Sequence, residues 1–196
     1  MKKTWTILKD SREKKPLMFP STLCFLDDQL PPTKLKSTTV RVQVVEATMK
    51  TGDYALMGHE SDVLVERKGS LREVAGNCLT KDGRRRFIAQ VDRLREECKK
   101  PYLMLEGTPQ DLLKPCRNVP KPFLALDAFQ RILMERGVPI LLLPGNTVSA
   151  RRALGEWVAR LLINGTFSNA LGHTQLHESR DLDQQPNDHK DVQSSS

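Results

Sequence analysis

Four residues in this chain have types and spacing suited to chemistry: Asp10, Asp53, Glu66 and Lys68. Glu66 and Lys68 are two apart, so on a strand both side chains leave one face while Arg67 leaves the other. Asp53 opens the preceding strand, and a short connection would bring it alongside Glu66. Two facing carboxylates repel unless a cation lies between them, and carboxylate oxygens with water are the ligand set of Mg²⁺ or Mn²⁺. A neighbouring ammonium can lower the pKa of an attacking water or neutralise charge developing on a phosphate. The pattern Asp…Glu-x-Lys therefore suits metal-dependent phosphodiester hydrolysis. A solvated strand end carrying ion pairs has the same composition, and the pattern alone does not separate the two.

The elements that must position these residues follow from periodicity. Thr4–Leu8 reads as a strand ending near Asp10, followed by an irregular Pro-rich stretch through Pro31-Pro32. Val40, Val42 and Val44 alternate as on a strand with one buried face. Thr51-Gly52-Asp53 turns into a short strand at Tyr54–Met57, and Val63–Lys68 forms the next. The period then changes: Leu71, Val74, Ala75, Cys78 and Leu79 mark an amphipathic helix, interrupted at Gly83 and resumed from Phe87 to Cys98. A strand at Tyr102–Leu105, a Pro-rich connector, a helix at Leu124–Arg136 and a strand at Val138–Leu143 follow. The continuous apolar run of that strand predicts burial on both faces. A last helix, Ser149–Ile163, should end at Asn164-Gly165. Early strands followed by helix–strand alternation predict an α/β domain with a mixed central sheet flanked by helices, spanning residues 1–165. The polar composition of residues 166–196 predicts a disordered tail.

The 196 residues carry 31 Lys+Arg against 24 Asp+Glu, a net charge of +7. The tail holds five acids and two bases, so residues 1–165 carry +10. Such a basic body points to a polyanion, with DNA the leading candidate, or to a generic basic domain. Aromatic residues are only 5%, too few for base stacking to dominate recognition. Mean hydropathy is −0.46 and no apolar run reaches membrane-span length, so neither a membrane segment nor a secretory signal is expected. Cys24, Cys78, Cys98 and Cys116 lack zinc spacing, and Cys78 and Cys98 fall on apolar helical positions, as buried free thiols would.

Asp10-Ser11-Arg12-Glu13, Gly52-Asp53-Tyr54 and Glu66-Arg67-Lys68 occur in an order and spacing that resembles the signature of XPF-type nucleases. Gly83-Arg84, Gln90 and the strand ending at Glu106 continue the likeness. The resemblance implies a restriction-endonuclease-like fold that cuts branched or flapped DNA with Mg²⁺ or Mn²⁺. It implies Asp53, Glu66 and the backbone carbonyl of Arg67 as metal ligands. Lys68 would position the water or the phosphate, and Asp10 would be a further acid at the site. Arg12, Glu13 and Arg67 match the motif as site-shaping or DNA-contacting residues. Arg72 stands where the family has an acid, and a one-residue insertion at Gly69 would put Glu73 there instead. The tail is too short for the tandem helix-hairpin-helix module of many relatives. A stand-alone nuclease of a bacterial or phage setting, cytoplasmic and nucleoid-associated, is the corresponding expectation, with homodimerisation open. A non-catalytic DNA-binding scaffold, or a role in docking other repair proteins through the tail, are the rival readings.

Of the weaker signals, Arg84, Arg85 and Arg86 form the densest basic run and are candidates for phosphate contact. Arg151-Arg152, in the first turn of the last helix, suit either a bound anion or plain surface. His173 and His177 are spaced as a metal pair but lie in the polar tail. His59 reads as a turn residue.

Overall fold

The computed structural model describes residues 3–26, 37–145 and 147–178, with side chains as far as Thr166. Two units divide the chain, Met1–Thr166 and Phe167–Ser196. Every catalytic, metal and DNA-contact candidate lies in the first; the His173 and His177 side chains and the sequence from residue 179 lie outside the description.

Seven strands, β1 (Thr4–Asp10), β2 (Thr22–Leu26), β3 (Ser37–Ala47), β4 (Tyr54–Leu56), β5 (Val63–Lys68), β6 (Lys100–Glu106) and β7 (Ile140–Leu143), form one sheet in the order β2-β3-β1-β4-β5-β6-β7. β1 pairs parallel with β3 and antiparallel with β4, while β5, β6 and β7 run parallel. The helices are α1 (Leu71–Leu79), α2 (Lys81–Glu97), α3 (Pro109–Leu113), α4 (Pro122–Glu135) and α5 (Val148–Glu178). This is the mixed sheet flanked by helices that the sequence predicts. No helix among the described residues is long and apolar enough to cross a membrane.

The period of two along the strands sorts the core into two layers. Ala55, Leu64, Leu103 and Leu105 pack with Val74, Phe87, Val91 and Phe129 of α1, α2 and α4. Tyr54, Leu56, Val63, Val65 and Met104 pack with Leu154, Val158 and Leu162 of α5. Central strand β5 is buried at all six positions, including Glu66, Arg67 and Lys68. At about 25 cal/mol per Å² of apolar area, these two layers supply the main stabilisation of the unit and hold the ends of β4 and β5 in register.

The structure corrects the sequence reading in five places. The stretch expected to be irregular contains β2, whose Leu23 and Phe25 alternate inward against β3. The helix break falls at Thr80, not Gly83: Thr80 ends α1 and its hydroxyl accepts the Gly83 N–H at 3.1 Å as the N-cap of α2. β7 is an edge strand with Leu142 exposed, because its place at the end of the sheet leaves one side unpaired. Finally, α5 does not end at Gly165. A Cβ there would lie 2.1 Å from Val63 Cγ2, so this glycine lets the helix cross the sheet closely rather than terminating it. The Pro-rich connector also contains α3, started by a capping box between Thr108 and Asp111.

Candidate active site

The antiparallel register pairs Tyr54 with Val65 and Ala55 with Leu64, so one further step along it sets Asp53 opposite Glu66. The Asp53 N–H donates to the Val65 carbonyl at 2.9 Å, which fixes that step. Asp53, Glu66 and Lys68 consequently share the sheet face covered by α1 and α2. The backbone N–H of Arg67 donates to Asp53 Oδ2 at 2.7 Å. Burial, reinforced by the negative charge of Glu66, pushes the Asp53 carboxyl up to about 7. Lys68 Nζ donates to Glu66 Oε1 at 2.9 Å and to Gln90 Oε1 at 3.2 Å, lies 3.6 Å from Glu73 Oε1, and stands 5.6 Å from the centre of the Phe87 ring. Burial works against the Lys68 charge, but Glu66 outweighs it and holds the ammonium above its usual pKa.

Glu73 reaches this cluster because Ser70 caps α1 by accepting the Glu73 N–H, which turns the Glu73 carboxylate back to accept the Gly69 N–H at 3.0 Å.

The other two motif acids are placed differently. Asp10 is buried and turned to Arg12, which reaches it with its backbone N–H at 2.8 Å and with Nη2 at 2.5 Å, and whose Nη2 also donates to the Met49 carbonyl. The Arg12 guanidinium holds the Asp10 carboxyl below the usual range. On the opposite face of β5, the Arg67 side chain donates from Nε to Glu106 at 2.6 Å and from Nη1 to Glu13 at 3.0 Å. Room for Glu106 depends on Gly145, where a Cβ would lie 2.4 Å from Glu106 Cδ. Arg151 donates to the carbonyls of Lys15 and Pro16 and so ties α5 to the loop after β1 rather than awaiting an anion. His59 sits at the far end of β5, paired with Asp62 at 3.0 Å.

Two openings meet at Asp53 and Glu66: a cleft of about 1050 Å³ towards Arg67, Glu106 and Arg151, and a basin of about 140 Å³ bordered by Asp10, Arg12, Lys50, Gln90 and Arg93. Among the described residues no group of three or more His, Cys, Asp or Glu side chains forms a metal cage. Asp53, Glu66 and the Arg67 carbonyl are nonetheless a hard-oxygen donor set opening on space for water. Mg²⁺ is commonly held by one or two carboxylates, with water and phosphate completing its shell. Asp53 and Glu66 stand opposite one another on adjacent strands, where burial and then their mutual repulsion raise the Asp53 carboxyl, so the residues fit the group.

The basic run divides over three directions of α2. Counting 100° per residue, only Arg86 shares the side of Gln90; Arg84 and Arg85 point elsewhere, and all three are exposed. Sequence reasoning missed Glu106 as a partner of Arg67, and Gln90, Arg93 and Lys50 as neighbours of the acids. The helical i, i+3 spacing of Gln90 and Arg93 was the available signal, but only the fold shows that this side meets β5.

The ERCC4 domain family matches residues 10–157. XPF from Aeropyrum pernix is 19% identical with a TM-score of 0.50, over 97% of this chain and 69% of that one. XPF from Aeropyrum pernix in complex with DNA is 22% identical with a TM-score of 0.51, over 82% of this chain and 66% of that one. The chain thus spans about two thirds of these structures, and at such identities the likeness concerns the fold alone. No curated protein matches the chain.

Proposed function

The chain belongs to the ERCC4 domain family, and from that membership together with the geometry at β5 we propose that it is a metal-dependent endonuclease hydrolysing phosphodiester bonds in branched or flapped DNA. The observation that carries this reading is the meeting of Asp53, Glu66 and Lys68 on one face of the sheet, with Asp53 and Glu66 lining an open basin with a basic border. Asp53, Glu66 and the Arg67 carbonyl would hold Mg²⁺ or Mn²⁺. The bound ion supplies Lewis-acid polarisation of a phosphate oxygen and lowers the pKa of water.

The chain's own contribution is orientation. The Arg67 N–H fixes Oδ2 of Asp53, a residue that also lines the basin. Glu66 and Gln90 hold the Lys68 ammonium where negative charge would develop on the scissile phosphate. Asp10 acts through Arg12, which it holds at the border of the basin. Glu13, with Glu106, fixes Arg67 from behind, and Glu73 shares the Lys68 charge. The basic body and the Arg86 side of α2 support DNA as the partner. A role in DNA repair or recombination completes the proposal.

The test is cleavage of labelled flap, fork, four-way and linear DNAs in Mg²⁺, Mn²⁺ or EDTA. Asp53→Asn and Lys68→Ala should each reduce cleavage by ~10³-fold or more while DNA binding in Ca²⁺ persists. Equal cleavage by the wild type and both variants would remove the assignment, and a wild type equally active in EDTA would remove the metal.

A further inference from the structure

The smaller basin has an acidic floor and a basic border, and two cations of that border have no place in the reaction described above. Gln90 contacts Lys68, which orients α2: the residues on the same side are Arg86 one turn before it and Arg93 one turn after. Arg93 borders the basin together with Lys50, from the β3–β4 connection. Glu97, the next residue along this side of the helix, receives Lys50 Nζ at 2.5 Å. Lys50 holds the Glu97 carboxyl below its usual range, with Arg93 adding to the effect. Lys50 thus pairs with one half-buried carboxylate while both it and Arg93 border the basin over Asp53 and Glu66, and a pairing made by so exposed a lysine exchanges readily for another anion.

Resting on the nuclease reading, we propose that Arg93 and Lys50 bind a phosphodiester group of the DNA strand adjacent to the one lying over Asp53 and Glu66, taking it in place of Glu97. A guanidinium offers paired N–H donors to phosphate oxygens, and an ammonium adds a point charge. Arg86 continues the same side of α2, so the strand runs along α2 from the basin. This reassigns the DNA contact of the helix from the Arg84–Arg86 run as a block to the Arg86–Gln90–Arg93 line. The side is set by Gln90 meeting Lys68.

Binding of a labelled flap DNA in Ca²⁺, followed by fluorescence anisotropy from about 50 to about 200 mM salt, reads this directly. Arg93→Ala and Lys50→Ala should each weaken binding by about 3- to 10-fold and lower the slope of log K against log salt by about 0.9. Arg93→Lys and Lys50→Arg should retain the slope. Glu97→Gln, which removes the competing carboxylate, should tighten binding by about 2-fold. Arg95→Ala makes the same charge change on the other side of α2 and should bind like the wild type. If Arg93→Ala and Lys50→Ala keep the wild-type slope, if Arg95→Ala loses as much as they do, or if the wild type does not bind DNA, the proposal fails. Cleavage in Mg²⁺ is scored separately. A wild type that binds with the predicted slopes but never cuts overturns the nuclease reading and leaves the phosphate contact standing.

Discussion

The two faces of β5 carry charged networks of different character around equally buried cations, Arg67 and Lys68. On the α5 face, Arg67, Glu13 and Glu106 are 6%, 9% and 9% exposed, and the guanidinium meets each carboxylate with a separate N–H. On the α2 face, Lys68 and Glu66 are each 6% exposed, and a single ammonium is shared among Glu66, Glu73 and Gln90. Asp53 beside them receives one backbone N–H for a carboxylate that burial already penalises. In the first network one cation also faces two acids, but each carboxylate receives its own guanidinium N–H. The second gathers Asp53, Glu66 and Glu73 around one ammonium and opens through Asp53 and Glu66 to the basin, where the proposed divalent ion and phosphate would enter. Burial alone therefore does not distinguish the two sides; the number of acids gathered around each cation does.

The largest expected break in this comparison is Arg67→Ala. It leaves Glu13 and Glu106 buried without their cation, and urea denaturation should show a loss of about 3–5 kcal/mol. A loss below about 1 kcal/mol would mean that the α5-face network is no more structural than the other. A smaller disturbance of the same face is Gly145→Ala, whose methyl must displace Glu106. A cost of about 1–3 kcal/mol is expected, and an unchanged midpoint would show that Glu106 is not held there.

The pH dependence of stability sharpens the other side. Asp53 has a folded-state pKa of about 7 against an ordinary value of 3.8. Between these values the folded protein keeps a proton that the unfolded chain has lost, so stability falls as pH rises through that window. Without metal the slope should reach up to about 1.4 kcal/mol per pH unit and flatten above about pH 8. Asp53→Asn should remove most of the slope, and Mg²⁺ or Mn²⁺ should raise the wild-type melting temperature more at pH 8 than at pH 6. A wild-type profile matching that of Asp53→Asn would place Asp53 outside the crowded pair.

Much of the fold was legible because it is periodic. The alternation in Val40–Val44 and Val63–Val65, and the helical spacing of Leu71–Leu79 and Phe87–Leu94, reflect faces that each element presents by itself. β2 carried the same alternation in Leu23 and Phe25, but five residues beside a Pro-rich stretch are a weak signal until β3 supplies the partner. The apolar run of β7 suggested a buried strand because sequence does not say which strand ends the sheet. Asp10 illustrates the same limit within the site: its place in the motif was readable, its pairing with Arg12 was not.

The sequence by itself determined the chemistry available here: Asp53, Glu66 and Lys68, spaced so that Glu66 and Lys68 must share a face. Period-two side-chain geometry is a property of the chain, and needs no neighbour. Only the tertiary structure decided which acids remain under-neutralised. That depends on residues far along the chain, with Gln90, Glu106 and Gly145 reaching Glu66-Arg67-Lys68 through sheet register and helix packing. Electrostatic balance is set across space, and spatial neighbours at such separations leave no periodic trace in the sequence.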